Sequence, residues 1–487
     1  MPKHLNFKPL FNLFIFTAFC LGIICGRYFI FFLLLFIFFI ISLFLVYIFY
    51  KKKKFLLSDI FIIFLFFSLG GVWYISNSYL WIDKFLNKRL NLVLKVISYP
   101  NNYPYKNTFL AQIKSIDGFP TNLKINVFDY TKKLKYLNSY KLNTKIIKTK
   151  TSKRYLIFLP KDAKLIQLNL NLWDKIALNI NNRLLKTLKE NLDDKSYRFL
   201  ASIFLGRREM LTKKEKEVFV NTGIAHLLAI SGTHIGVCAL FIFFLLKFFG
   251  IKFRKRLFIS IIFLSLYITI IGATPPTLRA LVMYVIFSIN FFLKRKINFF
   301  NSFGLAGFIC LLINPNWLFD VGFQLSFLSV FSLLLGFKLF KIKYTNNIFL
   351  NYLKNIFFSS SFITLITNPL ISYYFGKFYI LSIFYNLILI PLFTLILIIN
   401  FFLILLPLNF ISRLIGEVIS FLVFLFYYLA NLLGSIKFSY IRLNFKMPIV
   451  LIYYFILAIF FVLLRKLIFK NTTKPPRPIF TYYKVKN

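Results

Sequence analysis

Acidic residues are scarce in this chain. Asp and Glu number 14 against 61 Lys and Arg, giving a formal net charge of +47 over 487 residues. The excess fits a polyanionic partner such as DNA, RNA or anionic lipid. It fits equally the Lys-, Asn-, Ile- and Phe-rich usage of an A/T-rich genome with cytoplasmic anchoring, so charge alone does not identify a partner. Histidine occurs only as His4, His226 and His234, too few for a metal centre built on several imidazoles. The four cysteines, Cys20, Cys25, Cys238 and Cys310, lie in apolar runs without a CxxC pair. Neither a zinc knuckle nor a redox motif is visible, and buried thiols are expected. No GxxxxGK[ST] phosphate loop is present, so any driving energy comes from a partner or a gradient. No metal and no cofactor is expected.

What the chain has in abundance is apolar length. Hydrophobic residues make up 59% of it, and the mean hydropathy is +0.74. Runs such as Phe29 to Tyr50, Phe55 to Gly70 and Leu387 to Pro407 are nearly free of charge. At about 1.5 Å per residue the first and third can cross a hydrocarbon core of roughly 30 Å, and the second does so with the apolar residues that continue it to about residue 80. The sequence predicts a mainly α polytopic membrane protein of about twelve transmembrane helices, with a small extracytoplasmic β-barrel (OB-like) domain. The first helix reads as retained, with Gly22 to Arg27 as a tight hairpin rather than a cleavage site.

Five regions are expected. Residues 1–81 hold the N-terminal membrane helices. The Lys51 to Lys54 run between the second and third is cytoplasmic by the positive-inside rule, which puts the N-terminus inside and the chain after Trp81 outside. Residues 82–170 alternate in polarity, with five short strands at Leu92–Ile97, Thr108–Ile116, Leu123–Phe128, Tyr140–Ile147 and Tyr155–Leu159. Pro100-Asn101-Asn102, Asp117-Gly118 and Pro160-Lys161-Asp162 mark turns between them. Five strands in this length suit an OB-fold, a class that stacks single-stranded bases on aromatics over a basic groove. Tyr103, Tyr105, Phe128 and Tyr130 are candidates for stacking, or else core and edge residues.

Residues 171–222 carry apolar positions at Trp173, Ile176, Ile180, Leu184, Leu188 and Leu192, the spacing of a helix lying in the membrane interface. Thr212 to Glu215 has the form of a capping box, and Gly223 should end the helix it starts. Residues 223–470 return to the membrane. Basic clusters at Lys252–Arg256, Lys294–Lys296, Lys338–Lys343 and Arg465–Lys470 fall in a consistent cytoplasmic alternation. Residues 471–487 form a basic cytoplasmic tail. The region of Asn386 and Pro391 predicts a broken helix.

Polar groups inside so apolar a chain mark bundle interiors or pathways. Three clusters stand out: His226 through Ser231-Gly232-Thr233-His234, Pro275-Pro276-Thr277-Leu278-Arg279-Ala280, and Asp320 through Gln324-Leu325-Ser326-Phe327. Each alone reads most simply as helix–helix packing. Buried Arg279 needs an anionic partner, either Asp320 or a phosphate.

Together with Gly206-Arg207-Arg208 and the stretch from Gly376 to Pro391, these strings, in this order, resemble the successive motifs of the ComEC family, the inner-membrane DNA channels of natural transformation. The resemblance covers about 200–470, and the leading helices and β region resemble that family's N-terminal OB-like part. Thr233, Arg207 and Thr277 depart from the usual Leu, acidic residue and Ser. No histidine follows His234, so the H-x-H-x-D-H metal motif of the metallo-β-lactamase-like domain that ends many members is not in this chain. The expected form therefore lacks that domain, and if the second strand is degraded, another protein does it.

The resemblance implies a multi-pass protein of the bacterial inner membrane, its N-terminus cytoplasmic. It implies import of single-stranded DNA, with a periplasmic DNA receptor and a cytoplasmic helicase-like motor as partners besides the lipid bilayer. Arg279, His226, Ser231, Thr233, His234, Asp320, Gln324, Ser326 and Asn386 would line the path. Gly232, Pro275, Pro276 and Pro391 would break helices around it. A non-enzymatic role is expected. The alternatives are a transporter of another anionic substrate and, through the Ser231/His234 proximity, a membrane-embedded hydrolase.

Overall fold

A computed structural model describes residues 10–28, 32–51, 55–77, 85–97, 101–102, 105–148, 155–160, 162–169, 171–228, 230–272, 274–293, 298–340, 345–406, 409–436 and 439–470. Tyr103, the Lys294–Lys296 cluster and the 471–487 tail lie outside the described residues. The chain divides into two compact units. One comprises residues 1–217, 225–320 and 394–425; the other comprises 218–224, 321–393 and 426–487.

The first unit opens with three apolar helices, α1 (Phe11–Tyr28), α2 (Phe32–Lys51) and α3 (Phe55–Asn77). The expected hairpin at Gly22 to Arg27 is instead continuous helix within α1. Its glycines serve packing: a Cβ on Gly22 would sit 1.8 Å from the Phe67 carbonyl oxygen, and one on Gly26 would sit 2.7 Å from that of Gly71. Gly22 and Gly26, one turn apart, let the backbones of α1 and α3 touch, the small-xxx-small device of membrane helices.

Seven strands follow: β1 (Arg89–Val96), β2 (Asn101–Asn102), β3 (Asn107–Ile116), β4 (Phe119–Asp129), β5 (Ser139–Lys148), β6 (Tyr155–Leu159) and β7 (Ile166–Leu168). Five of them close on themselves in the order β1-β3-β4-β6-β5, with β5 pairing back to β1; β4 and β6 run parallel and the other pairs antiparallel. This is a closed five-stranded Greek-key barrel of the kind OB-folds use. Closure follows from alternation. Leu92, Leu94, Val96, Ala111, Ile113, Ile125, Val127, Ile157 and Leu159 point inward and are buried. Full burial of such a side chain is worth about 1.5–3 kcal/mol. Asp117 (φ 46°) and Gly118 (φ 87°) both take positive φ, the two-residue hairpin turn that matches strand twist.

The amphipathic stretch forms α4 (Leu172–Asn191), α5 (Asp194–Leu205) and α6 (Lys213–Asn221). Asp193 caps α5 through the Lys195 and Ser196 amides, and Gly206 ends it at φ 77°. At α6 the Thr212 amide donates to the Glu215 carboxylate (2.7 Å) and the Glu215 amide to the Thr212 hydroxyl (3.2 Å). This is the capping box read from sequence, and Gly223 follows the helix at φ 76°. The barrel is tied to α4 by a Lys95–Asp174 salt bridge and by Tyr136 and Leu137 packing on Ala177.

Next come α7 (Gly232–Phe248), α8 (Phe253–Ile271), α9 (Pro275–Phe292) and α10 (Phe299–Ile313). Then follow α11 (Val321–Leu339), α12 (Ile348–Phe375), β8 (Lys377–Phe378), α13 (Ser382–Leu405), α14 (Asn409–Gly434), β9 (Ile441–Arg442) and α15 (Met447–Lys470). Among the described residues seven helices are long and apolar enough to cross a membrane: Phe11–Tyr28, Leu57–Ser76, Pro275–Phe292, Val321–Leu339, Ile348–Phe375, Ser382–Leu405 and Phe410–Gly434. Four shorter apolar helices accompany them.

The prolines act differently from expectation. Pro275 and Pro276 stand in the first turn of α9, where amides have no intrahelical acceptor, so they start the helix instead of breaking it. Pro391 lies inside a continuous α13. Pro369, inside α12, shows how such a residue is accommodated. It removes the amide that would serve the Leu365 carbonyl, and the Tyr453 hydroxyl donates there instead (2.9 Å).

Gly22→Ala is expected to lower the melting temperature of the purified protein in detergent, because the added carbon meets backbone. Gly236→Ala meets nothing within 4 Å and should leave it unchanged. A thermal melt of both variants checks this.

Candidate functional site

The candidate residues fall into separate local settings. After a 3-10 turn at Ala225–Leu228, Ser231 takes an extended conformation (φ −111°, ψ 179°) and caps α7. Its hydroxyl accepts from the Thr233 amide (3.3 Å), and His234 Nδ1 accepts from the Ser231 amide (3.1 Å). Ser231 Oγ also lies 3.1 Å from that nitrogen. This is a capping box in which His replaces the usual Glu or Gln. The Ser-x-x-His spacing was visible in the sequence, but the expected signature was acidic or amide.

His234 is buried, whereas His226, Gly232 and Thr233 are exposed. A Cβ at Gly232 or Gly236 would meet nothing within 4 Å, so the small-residue face at the start of α7 borders open space. With Nδ1 turned to the backbone amide, the pair is arranged to cap a helix. A Ser-His nucleophile instead needs an orienting acid and an oxyanion hole.

Arg279, 1% exposed, projects from α9, and its Nη1 lies 3.9 Å from Asp320 Oδ1. Asp320 ends the 3-10 turn Pro315–Phe319, held there by its backbone amide, which donates a hydrogen bond to the Trp317 carbonyl (2.9 Å). Its side chain is half exposed. The Asp320 carboxylate, one of the two partners considered for Arg279, stands beside it.

Gln324, Ser326 and Asn386 belong to the other unit. Gln324 Oε1 accepts from the Tyr374 hydroxyl (2.9 Å). Phe323 and Phe327 stack beside it at 4.3 Å. Ser326 is half-buried on α11, and Asn386 is buried on α13.

Two polar knots escaped the sequence reading. In the first unit, Asn181 is fully buried; its amide donates to the Ile270 carbonyl (3.3 Å), and its oxygen accepts from Arg207 (3.2 Å). Arg207 Nη1 also lies 3.8 Å from Glu209. Burial pushes the Glu209 carboxyl above its usual range and the Arg208 guanidinium below its own. In the second unit, Asn368 brackets the Tyr379 backbone, donating to its carbonyl (2.6 Å) and accepting from its amide (3.1 Å). The Asn-Pro pair within an apolar run was the only sequence signal for it.

On the barrel, Phe128 and Phe158 are register partners of the parallel β4–β6 pair and stack at 4.9 Å with 11° between planes. Lys106 Nζ stands 4.6 Å from the Phe128 ring centre and 5.9 Å from that of Tyr130. Tyr105 is 80% exposed. Phe128 lies outside the barrel core, between inward-facing Val127 and buried Asp129. The turn bearing Tyr130 is fixed by Asp129, which accepts from the Thr131 amide (2.9 Å) and hydroxyl (2.5 Å) and the Leu134 amide (3.3 Å). Phe158 and Lys106 complete the patch and were not singled out from sequence.

The family model described as "Competence protein" matches residues 203–467, more than half of the chain. The chain belongs to the competence protein family. A stretch of 218 residues is 28% identical to ComE operon protein 3 of Bacillus subtilis (strain 168), covering 45% of this chain and 27% of that protein. A stretch of 177 residues is 28% identical to an uncharacterized protein of Aquifex aeolicus (strain VF5), covering 35% of this chain and 42% of the relative. The matches thus span less than half the length of either relative. No solved structure matches. The competence match contains the Ser231–His234 cap, the Arg279–Asp320 pair and the Gln324 and Asn386 settings; the barrel lies before it.

Asp320→Asn leaves the buried Arg279 cation without its carboxylate and should destabilise the protein by about 1–3 kcal/mol. Arg279→Met, which removes the buried charge itself, should cost less. Thermal unfolding of the two variants in detergent tests the order.

Proposed function

We propose that this protein is an inner-membrane channel through which single-stranded DNA is imported during natural transformation. Membership of the competence family carries the reading. The apolar helices, seven of spanning length, support a multi-pass protein, and with the shorter ones and α8 the total would be about twelve. The N-terminus is assigned to the cytoplasm and the barrel to the outer face from the Lys51–Lys54 run.

In this reading the Phe128–Phe158 stack, with Lys106 above it and exposed Tyr105 nearby, offers bases a π-surface beside a cation, the chemistry of sequence-independent strand binding. Phosphates cannot cross hydrocarbon, so the path must be polar and weakly binding. Exposed His226 and Thr233 beside open-faced Gly232, together with Ser231, His234, Gln324, Ser326 and Asn386, are the groups assigned to it. Arg279, with Asp320 beside it, is assigned to offset phosphate charge within the path. A periplasmic DNA receptor and a cytoplasmic helicase-like motor are the partners assigned. Ser231 and His234 are engaged in capping α7, which counts against a nucleophile–base pair there, and a serine-reactive phosphonate should leave Ser231 unlabelled.

Fluorescent duplex DNA followed in cells with and without the gene tests the function. DNA should reach the periplasm but not the cytoplasm when the gene is deleted; equal cytoplasmic entry would overturn the proposal and favour a transporter of another anion. Phe128→Ala with Phe158→Ala should weaken oligonucleotide binding by about 1–3 kcal/mol per stacked base, measured by fluorescence anisotropy.

A further inference from the structure

The second unit contains no Asp and no Glu. Every cation in it lacks a carboxylate from the same unit, so the place where cations gather needs an explanation. Apart from the clusters around Lys338 and Arg465, which the positive-inside rule accounts for, cations of this unit meet on the two-stranded sheet of β8 and β9. The register sets Lys377 directly opposite Arg442, a cross-strand like-charge pair that is destabilising in itself. Lys446 follows, exposed, as does Arg442.

The pair is not a floppy accident of a loop. Gly376 turns the chain at φ 65°, and a Cβ there would come within 2.2 Å of Asn444 Oδ1. The Leu443 amide donates to the Gly376 carbonyl (3.2 Å), and the Ser372 hydroxyl donates to the Leu443 carbonyl. Asn368 brackets the Tyr379 backbone, and the Tyr379 hydroxyl donates to the Val220 carbonyl (2.7 Å). The frame therefore holds two cations together.

Aromatic groups relieve them only in part. Lys377 Nζ lies 3.9 Å from the Tyr440 ring centre. A hydrogen bond from Arg442, and then the charge of Lys377, hold the Tyr440 phenol below its usual range. In the proposed orientation this sheet stands on the outer face, at the opposite helix ends from the basic clusters around Lys338 and Arg465. Cations there run against the positive-inside bias. A ligand anion accounts for both costs.

The geometry points to a phosphodiester site on the β8–β9 sheet, in which Lys377 and Arg442, with Tyr440 beside them, hold the backbone of single-stranded DNA on the outer face of the channel unit. The inference rests on the channel reading above and adds a contact separate from the barrel. Binding is independent of sequence, because phosphate contacts position a strand without reading bases. An anionic lipid headgroup presents the same phosphate chemistry and is the competing source.

The test uses the full chain in nanodiscs of phosphatidylcholine and a fluorescent oligo-dT. Lys377→Ala with Arg442→Ala should weaken binding about tenfold and flatten the dependence of log K on log salt by about 1–1.5, the value for two phosphates on a single strand. Lys377→Arg with Arg442→Lys should bind nearly as the wild type. Acetylation footprinting of the unmodified protein gives a readout independent of the variants' folding: oligo-dT should protect Lys377. Unchanged Lys377 reactivity while the oligonucleotide is bound overturns the site but leaves the channel reading. Protection by phosphatidylglycerol nanodiscs and not by oligo-dT overturns it in favour of lipid. A wild-type protein that binds no strand overturns both readings.

Discussion

Hydrocarbon offers no hydrogen bonds, and most of this structure follows from that single fact. Each backbone amide and carbonyl in the apolar segments must find its partner within the protein, which leaves helices as the form these segments can take. Where proline removes an amide inside α12, a tyrosine hydroxyl from α15 supplies the missing donor. Where a helix begins, Ser231 and His234 bind its first amides. With no hydrophobic force to press apolar helices together in lipid, glycines allow backbone contact and packing does the work. Gly22 and Gly26 do this between α1 and α3, and Gly304 approaches Asn12 of α1 in the same way.

The barrel obeys a different rule, since its interior forms from alternation in water. Aliphatic side chains fill it, and the aromatic residues left outside become available for another task. That division explains why the Phe128–Phe158 stack is half open while Val127 and Ile157, one position away on each strand, are fully buried.

Much of the fold was legible because its periods are strong. Each of the five barrel strands appeared near its expected place, and the Thr212–Glu215 box and its Gly223 terminator were read from four residues and one. A buried guanidinium needs an anion, which is why Asp320 could be named beside a phosphate as a candidate for Arg279, and it stands 3.9 Å away. Local signals of glycine and proline misled, since the same residue breaks a soluble helix and packs or starts a membrane one. Gly22, Pro275 and Pro276 fell on the second side of that ambiguity, and Pro391 lies inside an unbroken α13. Long-range partners such as Asn181 with Arg207, or Asn368 with Tyr379, leave no local pattern and could only be seen once the chain was folded.

The absence of acidic residues from the second unit has a consequence for its behaviour in changing surroundings. That unit also holds none of the three histidines and none of the four cysteines. No side chain in it therefore has an ordinary pKa between about 4 and 8.5. Its field is fixed across the acidities a bacterial envelope meets, and only ionic strength can modulate it. A strand held there would grip equally in acid and neutral medium and loosen with salt alone.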